Sequence, residues 1–208
     1  MTQTRHDQLA KQYLEEFLAP LGKVERQYEV PGQAKQVDVW FVPNRPVDPS
    51  LSNLGILGRM AQGMCLLEPF RNAPTRIEVR TCLMKLLWVQ DDEQRKAKQI
   101  NQSLPEPELP MLWILAATVS QPVLQDASGV MKADWLPGIY FMADLLRTAI
   151  VAINELPETS ETLWLRILGR GTTQERAIRE LLGLPSDYPG RNTVLRLLAT
   201  WKVRIDMG

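Results

Sequence analysis

One histidine, two cysteines and no excess of either charge leave this chain short of the residues from which many sites are built. His6 alone cannot furnish a histidine-based zinc centre. Cys65 and Cys82 lack metal-ligand spacing, and each falls in an apolar stretch, so both read as small core residues. Lysine plus arginine equals aspartate plus glutamate, 24 each. That balance weighs against a sequence-independent nucleic-acid binder, though it leaves room for a local basic groove. No apolar run approaches the ~20 residues of a membrane span, and the first eight residues hold no apolar signal segment. The expectation is a cytoplasmic protein with no membrane partner. Repeats and low-complexity segments are also missing.

What is present is an ordinary globular composition. With 208 residues, 45% of them apolar and 23% charged, the chain suits one domain, or one domain with a helical extension. Residues 7–21 form an amphipathic helix: Leu9, Tyr13 and Phe17, with Ala10, Leu14 and Leu18, share a face, and Lys11, Gln12 and Glu15 lie opposite. Residues 23–30 and 36–42 read as a strand hairpin about Pro31-Gly32. In the second strand Val37, Val39 and Phe41 point one way and Asp38, Trp40 and Val42 the other. A short helical turn at 54–62 precedes a strand at 64–70, where Pro69 marks a strand end or a sheet edge. Thr75-Arg-Ile-Glu78 is a capping box that opens a long helix to about residue 101. A proline-rich loop leads to a continuously apolar strand at 111–119, as in a sheet covered on both faces, and 138–142 adds another. From 144 onward the pattern predicts helices only, at 144–156, 159–168, 172–182 and 192–205, the third opened by a second capping box, Thr172-Thr-Gln-Glu175.

Two acids stand out against this frame. Asp38, in Lys35-Gln-Val-Asp-Val-Trp-Phe41, and Glu68, in Met64-Cys-Leu-Leu-Glu-Pro-Phe70, each interrupt an apolar strand. Aspartate beside tryptophan on a half-buried strand is disfavoured, so something compensates it. If the strands share a sheet, the carboxylates converge at one edge, and gathered acceptor-only oxygens suit a hard cation such as Mg²⁺. The plainer readings are a strand-end acid satisfied by a backbone amide or an arginine for Asp38, and a turn cap before Pro69 for Glu68. Glu78 is accounted for by its capping box. Arg166, Arg170, Arg176, Arg179 and Arg191 make either a solvated face or a DNA-contacting surface, while Trp164, Leu165 and Leu168 read as core.

The order helix, strand, strand, strand, helix, strand, with an acid on the second and third strands, resembles the PD-(D/E)XK nuclease superfamily over roughly residues 5 to 142. Within it the chain looks most like the recombination-promoting nuclease and transposase branch, as in Cys65-Leu-Leu-Glu-Pro-Phe-Arg71 and Glu161-Thr-Leu-Trp-Leu-Arg-Ile-Leu-Gly169. The resemblance implies an α/β fold: a restriction-endonuclease-like αβββαβ core, a mixed sheet flanked by helices, over residues 1–143. A helical C-terminal extension over 144–208 would pack on it. It implies a metal-dependent DNA endonuclease, or a degenerate relative that only binds or assembles. Asp38 and Glu68 would hold Mg²⁺, with Mn²⁺ as substitute, and Glu16 and a backbone carbonyl near Pro69 would assist. The family's Lys or Gln falls on Phe70, which can neither position water nor offset phosphate charge. Arg71 should face the other way, so the resemblance assigns the basic role to Arg80 on the long helix. DNA is the implied partner, and the apolar length of the C-terminal helices leaves a homodimer open.

Overall fold

In a computed structural model, residues 5–29, 36–44 and 48–202 are described, and they build an α/β fold around one six-stranded mixed sheet. In chain order the elements are α1 (Arg5–Leu18), β1 (Gly22–Glu29), β2 (Gln36–Pro43), α2 (Ile56–Met60), β3 (Cys65–Phe70), α3 (Arg76–Gln99) and β4 (Met111–Ala116). There follow α4 (Gln121–Asp126), β5 (Ile139–Phe141), β6 (Thr148–Ala152), α5 (Leu163–Arg166), α6 (Thr172–Gly183) and α7 (Arg191–Lys202). The strand order is β1-β2-β3-β4-β6-β5. The β1/β2, β2/β3 and β5/β6 pairs are antiparallel, and β3/β4 and β4/β6 are parallel.

Each face of the sheet is covered. α3 and α4 cover one, where Val79, Cys82, Leu86, Val89, Val123 and Leu124 pack on Trp40, Leu66, Leu112, Ile114 and Ile150. α1, α2 and α5–α7 share the other, packing on Val39, Phe41, Leu67, Trp113, Leu115 and Val151. Burial on both faces explains why β4 reads as an unbroken apolar run. Thr75 caps α3 as expected: its hydroxyl accepts from the Glu78 N–H, while the Glu78 carboxylate accepts from the Thr75 N–H at 2.7 Å. Both cysteines are buried, and no helix among the described residues is long and apolar enough to cross a membrane.

Four expectations are corrected. Residues 144–156 are not a helix: a 3-10 turn at Asp144–Leu146 leads into β6, a wholly buried strand between β4 and β5. Thr148, Ile150 and Val151 are β-branched, and an apolar run of this length carries no period to tell strand from buried helix. Arg147, with φ 39°, makes the turn, its guanidinium donating to the Leu109 and Pro107 carbonyls. The all-helical part therefore begins after Ala152 rather than at 144, and it packs into the same core as α1.

Of the two readings of Pro69 the strand end holds, since β3 stops one residue later, and the sheet edge does not, because β3 lies between β2 and β4. The carbonyls of Met64 and Phe70 accept from the Met111 and Ala117 N–H groups, so even-numbered residues of β3 serve β4. Pro69 then faces β2, whose pairing ends at Val39–Leu67, and its missing N–H breaks no ladder bond. Val37 packs with the α3-side cluster rather than with Val39, so alternation lapses there. Thr172 is the first residue of α6 rather than its cap: Gly171, at φ 60°, caps it without a side-chain bond. The expected turn at Pro31-Gly32 and residues 203–205 of the last helix lie outside the described residues.

Candidate functional site

The β2/β3 register brings the two expected acids together. Val39 pairs with Leu67 and Trp40 with Leu66, so one step further Asp38 comes level with Glu68. There the ladder stops, and the Asp38 N–H donates to Glu68 Oε1 at 3.3 Å instead of to a strand carbonyl. Glu68 is 1% exposed, while Asp38 keeps partial access to solvent.

Each carboxylate is matched by a lysine that sequence reasoning did not assign. Lys85 of α3 donates to both Glu68 oxygens, at 2.9 and 2.7 Å. Lys11 of α1 sits 2.6 Å from Asp38 Oδ1 and is 5% exposed. Cys82, one turn before Lys85, places its sulfur 3.9 Å from Glu68 Oε2. Burial, then the Glu68 charge, pushes the Cys82 thiol well up, so it remains a weak donor rather than a thiolate.

Burial pushes the Glu68 carboxyl up to about 7, and the Asp38 charge acts in the same direction, against the lowering pull of Lys85. For Lys85, burial acts to lower the ammonium, but the Glu68 carboxylate outweighs it and the group sits above the ordinary lysine value. Without metal, then, native Glu68 keeps a proton that the unfolded chain releases near 4.5, the usual glutamate value. The native state binds more protons over that interval, so this group's stabilising share is full below pH 4.5 and is lost as pH rises through about 7. In chelator, the Tm of the wild type minus that of Glu68→Gln is expected to fall between those two pH values and stay level above. A difference independent of pH would contradict the burial-driven shift.

The other expected residues are not brought to this centre. Glu16 is exposed on α1, where its neighbour Glu15 pairs with Arg26 of β1 at 2.9 Å. Arg80 is exposed on α3 and makes no ion pair among the described residues. Both misplacements have one cause. Glu16 lies five positions from Lys11, and Arg80 five from Lys85, which turns each about 140° round its helix from the residue that reaches the acids. Lys11, expected opposite the apolar face, is three and seven positions from Leu14 and Leu18 and is buried as they are. Phe70 is half-buried against the α3-side cluster, and Arg71 is exposed.

Two arginines of the candidate basic surface in the C-terminal part, Arg166 and Arg176, are paired with acids, while Arg170 and Arg191 donate to neutral acceptors and keep their charge. Arg166 is buried and donates to Thr162 Oγ1, the Thr159 carbonyl and Glu180. Arg170 donates to Asn72, Arg176 pairs with Glu158 at 2.6 Å, and Arg191 donates to the Leu182 carbonyl. Arg179 keeps only a long contact of 3.7 Å with Glu175.

Whether the centre suits a cation turns on its donors. No group of three His, Cys, Asp or Glu side chains able to hold a metal ion occurs among the described residues. Two carboxylates suit Mg²⁺ nonetheless when water and a substrate phosphate complete the shell, because Mg²⁺ sheds water reluctantly and rarely uses an all-protein cage. Among known proteins, no family model, curated sequence or solved structure matches this chain.

Proposed function

We propose that the protein is a metal-dependent phosphodiesterase that cuts DNA, with Asp38, Glu68 and Lys85 as its working residues. One observation carries the reading: where the β2/β3 ladder stops, two acids meet and a buried lysine from the next helix holds one of them through both oxygens. The order α1, β1, β2, β3, α3, β4, with the short α2 inserted between β2 and β3, supports a restriction-endonuclease-like core of the PD-(D/E)XK kind, in which Lys85 supplies the charge absent at Phe70.

Asp38 and Glu68 are the side chains that would hold Mg²⁺, with the Pro69 carbonyl on the same side of β3. The bound cation supplies an acidified water and charge at the phosphate. Glu68 must give up its proton to serve, which its raised pKa allows near neutrality. Lys85, fully charged there, would offer its ammonium to a phosphate bound beside Glu68. Lys11 does the same beside Asp38. The solvent-facing side of Asp38 is the way in, since Glu68 is sealed beneath α3.

A second reading, a nuclease-fold scaffold without chemistry, draws on the same contacts: both carboxylates already have a lysine partner, so the charges balance without a metal. Supercoiled plasmid separates the two. Purified protein is expected to nick or linearise it with Mg²⁺ or Mn²⁺ and to leave it intact in chelator. Intact plasmid under all conditions, together with no Mn²⁺ uptake by calorimetry, would leave the scaffold reading.

A further inference from the structure

The two faces of α3 are at odds with a helix lying on the surface of a monomer. Val79, Cys82, Leu86 and Val89 bury one face against the sheet. The opposite face of such a helix should be polar. From Gln94 onward it is, with Gln94, Arg95 and Lys98. Before that it is apolar: Ile77, Leu87 and Trp88 are 71%, 53% and 36% exposed, and the half-buried Leu83 and Met84 line the same groove, Leu83 also touching the sheet-side cluster. The apolar stretch forms a shallow open groove with Arg80 at one end and Asp91 at the other.

We propose that this face docks a second copy of the chain, α3 against α3, antiparallel across a two-fold axis. The spacing of the stripe carries the argument. Positions 80, 83, 84, 87, 88 and 91 run cation, four apolar residues, anion, one pattern when read from either end apart from the sign of the charge. A two-fold axis through the midpoint sets Arg80 against the second copy's Asp91, Leu83 against Trp88 and Met84 against Leu87. Each of the three pairs forms twice, and the two Arg80–Asp91 pairs close the ends of a seam ~16 Å long. A parallel seam would instead set Arg80 on Arg80 and Asp91 on Asp91. Arg80 makes no ion pair among the described residues, and Asp91 has only an exposed i,i+4 contact of 3.3 Å with Arg95. The seam is short, so the dimer dissociates on dilution. Its two copies of α3 lie innermost, with a sheet on either side of them. Oligomeric state is measured without activity, so this inference stands or falls apart from the phosphodiesterase reading.

The test is sedimentation equilibrium of the full chain across the micromolar range. The mass is expected to rise from 23.7 kDa towards twice that value with concentration. Leu87→Glu should hold the chain monomeric. Arg80→Glu and Asp91→Arg should each weaken association by about tenfold or more, because each replaces two attractive pairs by two repulsive ones. The double variant should regain the wild-type behaviour. All these positions are exposed, so circular dichroism should show an unchanged fold. A chain that stays monomeric throughout, or a double variant no tighter than either single one, overturns the proposal; the first result leaves the groove to a different protein.

Discussion

Lys85→Met is expected to cut plasmid cleavage to below about a hundredth of wild type, the scale of losing one preorganised charge at a developing oxyanion. Asp38→Ala and Glu68→Ala are expected to abolish it. Arg80→Lys and Glu16→Gln should leave it unchanged, since both side chains face solvent away from the acids. Methionine matches the length of lysine, and the fold should tolerate the change, because Glu68 can take up a proton when its ammonium partner is gone. That same protonation offers a check. If Lys85 acted only by keeping Glu68 ionised, raising the pH would restore cleavage by Lys85→Met to the wild-type rate. If its charge acts on phosphate, the deficit persists at high pH. A variant as active as wild type at every pH would remove Lys85 from the mechanism and return the missing basic role to an unassigned residue.

The acids were legible because a charge inside an apolar strand is costly and so conspicuous, as in Val37-Asp-Val-Trp40 and Leu66-Leu-Glu-Pro69. The lysines were not, because a lysine on a helix reads as solvated by default. Their signal was positional. Lys85 sits between Cys82 and Leu86, at the edge of the stripe that packs on the sheet, and Lys11 is one turn before Leu14. A lysine on the buried side of a helix needs an acid to pair with, and only the strand register supplies one. Thr75 and Glu78 carry their own geometry in a four-residue window, so α3 was readable to its first residue. β6 was not, because what makes it a strand is its place between β4 and β5, which no local window contains. Pro69 shows the same limit. A proline in a strand suggests a strand end or a sheet edge, and what separates the two is that the partner strand stops two residues earlier.

Trp164→Ala is expected to cost about 3–5 kcal/mol of stability, the range for removing a large aromatic from a core, against a total of roughly 5–15 kcal/mol for a domain. Trp164 is buried where four segments meet. Its ring lies 4.7 Å from Phe17 of α1 and 6.2 Å from Tyr188, before α7. Its indole N–H donates to the Asn53 carbonyl at 3.1 Å, and its own carbonyl accepts from the Tyr13 hydroxyl at 2.6 Å. Gly190, at φ 80°, lets the chain pass over this cluster: a Cβ there would come within 2.6 Å of Phe17 Cε1. Trp164→Phe keeps most of the contact and loses the bond to Asn53, so it should cost about 1–2 kcal/mol. Both figures are read from denaturant unfolding. Because one core holds α1 and α5–α7, the transition should stay single, with the alanine variant shifted to lower denaturant at an unchanged slope. Two transitions would instead mean that the C-terminal helices melt as a unit of their own. Since α1 also carries Lys11, the alanine variant is expected to loosen the Lys11–Asp38 pair as well, weakening cleavage from a residue that touches neither acid.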